Sequence, residues 1–211
     1  MKTTFYFIRH GESLANAQNR LCGHADWDLT ERGREQAKCT ARLFTDIPVD
    51  VVLSSNLLRA YHTAEAVAKL KGLQVETDPG FREIYVGHWE GQLETDVIAK
   101  EPELLAAWRK ELKHVPDGES VEALYTRVKA ALDRAAKQYE GKHIVVATHA
   151  TPIRALTCVL SGRPLEDAVH IHPVSNASVT KIIWDGKNYF LEDSTQDDHL
   201  GNLATRTLNT I

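Results

Sequence analysis

Apolar residues recur along this chain in two rhythms. Unbroken runs at 4–8 (Thr-Phe-Tyr-Phe-Ile) and 143–148 (His-Ile-Val-Val-Ala-Thr) predict strands buried on both faces. A β-branched run at 49–53 predicts another, and a shorter strand at 73–77 is closed by Asp78-Pro79-Gly80. Between the runs the spacing turns helical. Leu57, Ala60, Tyr61, Ala64, Val67 and Ala68 mark a helix for which Ser54-Ser55-Asn56 offers caps. A helix over 30–44 takes Thr30 as its N-cap, and one over 101–113 starts near Pro102. Pro116-Asp117-Gly118 breaks the pattern before a long helix over 120–139. Ala123 stands where a capping box wants Glu, so Ser120 is a partial cap. Thr151-Pro152 opens a further helix, with Thr as N-cap and Pro in the first position. Residues 178–184, Asp185-Gly186 and 189–192 predict a hairpin. The mixed stretch 81–91 reads as loop, and the polar residues from Ser194 onward as a tail or flap.

This alternation predicts an α/β fold. Its mostly parallel central sheet is flanked by helices on both faces, with an antiparallel strand near the C-terminus. The 211 residues suit a single domain, 1–211, with no repeat or linker. A net charge of −4 argues against a global nucleic-acid footprint. Cys22, Cys39 and Cys158 form neither a zinc pattern nor a disulfide framework, which fits a reducing, cytoplasmic setting. The first apolar stretch is broken by Arg9, too early for a secretory signal, and no run reaches membrane-spanning length.

Reactive side chains fall at the ends of the strands. His10 follows the first, Arg59 opens the helix after the second, Glu83 follows the third, and His149 follows 143–148. Parallel strands share one carboxyl edge, where open α/β sheets bind ligands. Two imidazoles, a carboxyl and the guanidinium groups of Arg9 and Arg59 would make an anion pocket there, with a candidate nucleophile and a candidate acid. His149 also lies close to a helix N-terminus, which favours an anion.

Here the chain resembles the histidine phosphatase superfamily, the phosphoglycerate-mutase-like proteins. The resemblance rests on Arg9-His10-Gly11-Glu12-Ser13 with Asn16, then 28–37, then Ser54-Ser55-Asn56-Leu57-Leu58-Arg59-Ala60 with Thr63-Ala64. It continues through Arg82-Glu83-Ile84, Gly87, Trp89-Glu90-Gly91, Gly118-Glu119-Ser120 and His149 with Ile153-Arg154. Where the family usually has His-Gly-Gly, this chain has His149-Ala150-Thr151. The resemblance implies that His10 is transiently phosphorylated, that Arg9, Arg59 and His149 surround the phosphoryl oxygens, and that Glu83 protonates the leaving oxygen. It implies ligand contacts from Asn16, from the backbone of Cys22-Gly23, and from the Ala150 N–H. It implies no metal and no cofactor, because arginine does the electrostatic work.

Other residues have plainer readings. Glu12 reads as a hydrogen-bond partner, Thr30, Gly33 and Gln36 as cap, turn and packing, and His62 as a surface or packing residue. Trp27, Trp89 and Trp108 read as core or lid. The alternation His170-Ile171-His172 can bind metal but reads as a plain loop. The insertion 92–117 is expected to form a cap that shapes substrate choice. Its only arginine is Arg109, followed by Lys110, which read as a solvated face. The resembling mutases have a longer insertion with paired arginines. The expected activity is therefore a metal-independent phosphomonoesterase for a small phosphorylated metabolite, such as a sugar bisphosphate or the ribazole phosphate of cobalamin assembly. A cofactor-dependent phosphoglycerate mutase and a non-catalytic phospho-ligand binder are the alternatives, and a homodimer is possible.

Overall fold

Six strands form one sheet in the order β3-β2-β4-β1-β5-β6. In chain order they are β1 (Thr3–Arg9), β2 (Val51–Ser54), β3 (Val75–Thr77), β4 (His143–Thr148), β5 (Val179–Trp184) and β6 (Tyr189–Gln196). The helices are α1 (Leu14–Ala17), α2 (Glu31–Leu43), α3 (Leu58–Lys71), α4 (Glu94–Lys100), α5 (Pro102–Glu111), α6 (Val121–Gln138) and α7 (Ala150–Leu160). This computed structural model describes residues 1–111, 115–171 and 174–205. Strands β1 to β4 are mutually parallel, whereas β5 lies antiparallel to β1 and to β6.

Alternate side chains of the buried strands feed two separate cores. Phe5, Phe7, Ile144 and Val146 pack against Leu124, Val128 and Leu132 of α6 and Ile153 and Leu156 of α7. Tyr6, Ile8, Val145 and Ala147 meet Ala41 of α2 and Ala60, Ala64 and Val67 of α3. The helices thus lie on both faces, as the strand runs required. No helix among the described residues is long and apolar enough to cross a membrane.

Three local expectations need correction. The N-cap of α7 is His149, not Thr151, so Thr151 and Pro152 lie inside the first turn. The chain turns helical directly off β4, and the first-turn N–H groups of Ala150 and Thr151, which have no partner within the helix, are satisfied by the carboxylate of Glu83, distant in sequence (3.1 and 3.3 Å). The N-cap of α3 is Leu57, without a side-chain cap bond; Ser55 Oγ accepts from Leu57 N–H and Asp26 Oδ1 from Leu58 N–H. The stretch expected to be a tail begins as strand, since β6 runs to Gln196. It then forms a 3-10 turn, Asp198–Leu203, docked on α2: Gln36 Nε2 donates to Leu203 O at 2.7 Å, and His199 Nε2 meets Thr40 Oγ1 at 2.9 Å. Two short helices, α1 and α4, join those expected. The helix expected over 101–113 is α5; residues 112 and 113 lie outside the described residues.

Within the insertion, α4 and α5 bury Val97, Leu105 and Trp108 against Trp89. The Trp89 and Trp108 rings meet edge-on at 5.7 Å. These tryptophans are core rather than platform. Arg109 pairs with Glu94, while Lys110 is solvated.

Candidate active site

The register of the sheet places the reactive groups. Arg9 stands opposite Thr148, and Ser54 opposite Ala147, so β1, β2 and β4 end level with one another. The ladder runs one residue further, with His10 N–H donating to Thr148 O at 2.9 Å and Ser55 N–H to Ala147 O at 2.9 Å. The next side chains, His10, Ser55 and His149, therefore meet. The His10 and His149 rings are 5.1 Å apart between centroids, and His149 Nε2 lies 2.9 Å from Ser55 Oγ. Glu83 arrives from β3 by way of the 3-10 turn Pro79–Phe81, held by Thr148 Oγ1 donating to Phe81 O. Its Oε1 accepts from Ile84 N–H, while its Oε2 takes the two amides of α7. Arg59, the second residue of α3, donates to Gly23 O (2.7 Å) and Ala25 O (3.0 Å). Arg9 donates to Val174 O. None of these six residues exceeds 5% exposure.

This burial determines protonation. His10 Nδ1 lies 2.7 Å from Gly11 O, and a carbonyl only accepts, so Nδ1 carries the hydrogen and Nε2 the lone pair. Loss of water, then the charges of Arg59 and Arg9, hold His10 well below its ordinary value. It is therefore neutral at pH 7 and nucleophilic at Nε2. His149 is depressed for the same reasons, desolvation first and Arg59 next, and its Nδ1 is buried without a protein partner. Burial lowers even Arg9, to about 10, helped by Arg154 and Arg59 and opposed by Glu83; it remains a cation. Such an arrangement can take a dianion between guanidinium groups and present it to an imidazole nitrogen.

The other expected contacts fall nearby but differ in detail. Asn16 Oδ1 accepts from Ser13 N–H and sits 3.4 Å from Asn176 Nδ2, which donates to His10 O. The Cys22 thiol donates to Ala25 O and is pushed up to about 11 by burial, so it stays protonated. Gly23 lends its carbonyl to Arg59; a Cβ there would lie 2.0 Å from Ile84 O. The Ala150 N–H, expected to face phosphate, is engaged by Glu83. Glu12 accepts from Thr30 Oγ1 at 2.7 Å, and His62 pairs with Asp28 at 2.6 Å. His170 ends a 3-10 turn, and His172 lies outside the described residues.

Sequence reasoning missed the groups that hold the cluster in place. Arg127 of α6 donates to the carbonyls of Gly80, Arg82 and Glu83 and pairs with Glu119. Glu90 accepts from the amides of His24 and Ala25, fixing the loop that carries the Arg59 partners. Ser55 was legible only as a cap. Its position at a strand end, the same signal that singled out His10, could have found it.

The model of the histidine phosphatase superfamily (branch 1) matches residues 5–197. Phosphoserine phosphatase 1 of Hydrogenobacter thermophilus is 39% identical over 157 residues, 74% of this chain and 74% of that protein. A probable phosphoglycerate mutase of Erwinia tasmaniensis is 30% identical over 210 residues, covering 94% of this chain and 95% of the relative. The crystal structure of the α-ribazole phosphatase of Shigella flexneri superposes with a TM-score of 0.81 at 30% identity, over 92% of this chain and 96% of that one. With the strand-end cluster in place, this chain belongs to the histidine phosphatase superfamily. Its relatives include phosphatases and proteins named as mutases.

Proposed function

We propose that the protein is a metal-independent phosphomonoesterase for a small phosphorylated metabolite, working through a phosphohistidine on His10. The observation that carries the reading is the tautomer of His10: its hydrogen is held on Nδ1 by Gly11 O, and a lone pair is left on Nε2 in a buried, doubly arginine-flanked site. In the first step Nε2 attacks phosphorus, the P–O ester bond breaks, and Glu83 gives its proton to the departing alkoxide oxygen. In the second step Glu83 takes a proton from water, the water oxygen bonds to phosphorus, and the P–N bond breaks. Arg9, Arg59 and His149 stabilise the equatorial oxygens throughout. Residues 92–117, with α4 and α5, serve as the cap. The pairing of Arg109 with Glu94 supports hydrolysis over mutase chemistry, because it occupies the insertion's one arginine.

The test is steady-state release of inorganic phosphate from a panel of phosphomonoesters without added metal, for wild type and His10→Ala. Hydrolysis of several esters that disappears in His10→Ala is expected. Isomerisation of 3-phosphoglycerate after priming, with no hydrolysis, would make the protein a mutase. Phosphate binding with neither reaction would make it a binder.

A further inference from the structure

The turn that leads into β5 grips the end of β1. Val174 O takes the Arg9 guanidinium, and Ser178 O accepts from Arg9 N–H at 3.2 Å. Ala177 N–H is shared between Arg9 O (2.9 Å) and His10 O (3.2 Å). Asn176, 2% exposed, adds a side-chain bond, donating from Nδ2 to His10 O at 3.0 Å. A carbonyl only accepts, so the amide end that faces it is the nitrogen, and Oδ1 is left for another partner. That partner is Thr205, whose Oγ1 donates to Asn176 Oδ1 (2.9 Å) while accepting from Asn176 N–H (3.3 Å). One hydroxyl thus fixes both the backbone and the side chain of Asn176.

The turn itself is strained. Ala177 is buried at a φ of 60°, a left-handed conformation disfavoured for a residue with a Cβ. Such a conformation persists when its surroundings over-determine it. Asp197 Oδ2 accepts from Ser175 Oγ at 2.6 Å, and Thr40 Oγ1 and His199 Nε2 lie 2.8 and 3.2 Å from Ala177 O. Asp197, His199 and Thr205 all belong to the segment that follows β6. The strained turn is therefore held by the C-terminal segment on one side and holds His10 on the other. We propose that Asn176, locked by Thr205, is a positioning residue for His10. The peptide joining His10 to Gly11 is held at its oxygen by Asn176 Nδ2 and at its N–H by Thr63 Oγ1 (3.0 Å). Gly11 O in turn holds His10 Nδ1, so the orientation of this peptide sets where Nε2 points. A displaced nucleophile loses rate more than affinity, because the arginines still grip the phosphate. The effect on rate rests on the phosphohistidine reading; the effect on the His10 ring does not.

The variants Asn176→Leu, Thr205→Val and Thr205→Ser test it. The saturating rate of His10 phosphorylation is measured in single turnover, affinity for inorganic phosphate by calorimetry, and the His10 ring nitrogens by heteronuclear NMR of the ligand-free protein. Asn176→Leu is expected to lower the rate about tenfold or more and Thr205→Val about threefold or more, with phosphate affinity changed less than about twofold. Thr205→Ser, which keeps the hydroxyl, restores the rate. The His10 ring resonances are expected to move in Asn176→Leu and Thr205→Val but not in Thr205→Ser. Wild-type rates and unmoved His10 resonances in Asn176→Leu and Thr205→Val would overturn the proposal. So would a weakened phosphate affinity at an unchanged rate, which would assign Asn176 to ligand binding through its neighbour Asn16. If Asn176→Leu does not fold, the Thr205 pair decides, and equal rates and resonances in Val and Ser overturn the proposal. Absence of any phosphorylation of His10 in the wild type would sink the phosphatase reading alone, because the ring resonances still report on the positioning.

Discussion

A neutral histidine beside two arginines is a product of surroundings rather than of residue type. In water an imidazole titrates near 6.5; here desolvation and two guanidinium charges keep His10 unprotonated. In the proposed reaction Glu83 has the complementary task, and the strength of its role depends on the leaving group. An alkoxide needs its proton; a nitrophenolate hardly does. Glu83→Gln keeps the shape and a hydrogen-bonding amide but cannot supply that proton. Its rate of phosphohistidine formation from alkyl phosphates is expected to fall about 10²–10⁴-fold, and from p-nitrophenyl phosphate far less, as measured by single-turnover kinetics. Equal losses on both would remove Glu83 from the acid role. His10, Arg59 and Glu83 were legible as residues because each sits at or just past a strand end. The burdens carried by Ser55, Arg127 and Asn176 were not, because nothing in local spacing says which distant group a polar side chain will meet.

At the scale of elements, the site depends on two backbones in close approach. A Cβ on Gly33, in the first turn of α2, would lie 2.0 Å from Glu12 O, and one on Gly11 would lie 2.4 Å from Gly33 O. The loop after β1 is thereby pressed against α2, with Thr30 capping the helix through Gly33 N–H and Gln36 Oε1 accepting from Glu12 N–H. Gly33→Ala must push this loop, and His10 with it, off the sheet edge. A stability loss of about 1–3 kcal/mol and a fall in kcat are expected, read by urea unfolding and phosphate release; an unchanged kcat would show that the loop does not position His10. Both glycines were visible in the sequence, but there Gly33 reads as a turn and Gly11 only as part of the Arg9–Ser13 motif. Their tightness emerges only when α2 folds back over the strand end. The N-cap of α7 shows the same limit. Thr151-Pro152 satisfied the local rules for a helix start, but Glu83, from a remote loop, took over the capping and let the helix begin at Ala150.

For the whole molecule, the buried histidines couple folding to pH. His10 and His149 bind protons below about 6.5 in the unfolded chain but resist them when folded. The unfolded state therefore holds more protons in this window, and stability falls as pH drops. It is fully present above the ordinary histidine range. His24 and His199, lowered mainly by burial, act in the same direction, whereas His88, raised by its bond to Glu101, opposes them. Urea midpoints are expected to decline between pH 7 and pH 5, with a shallower decline in His10→Gln. A stability that is flat or rising toward pH 5 would contradict the buried neutral state.

Periodicity alone determined the larger architecture. Continuous apolar runs demand a sheet covered on both faces, helical spacing supplies the covers, and parallel connection brings His10, Arg59, Glu83 and His149 to one edge. Those are consequences of hydrophobic burial and chain connectivity, which are written locally. Tertiary structure decided what depends on long-range meetings. It docked 198–203 on α2 and seated Thr205 against Asn176, whose amide donates to His10 O. It paired Arg109 with Glu94 and set the buried Arg154 within the field of Glu83. Desolvation and charge complementarity are properties of the packed assembly, so no reading of spacing along the chain contains them.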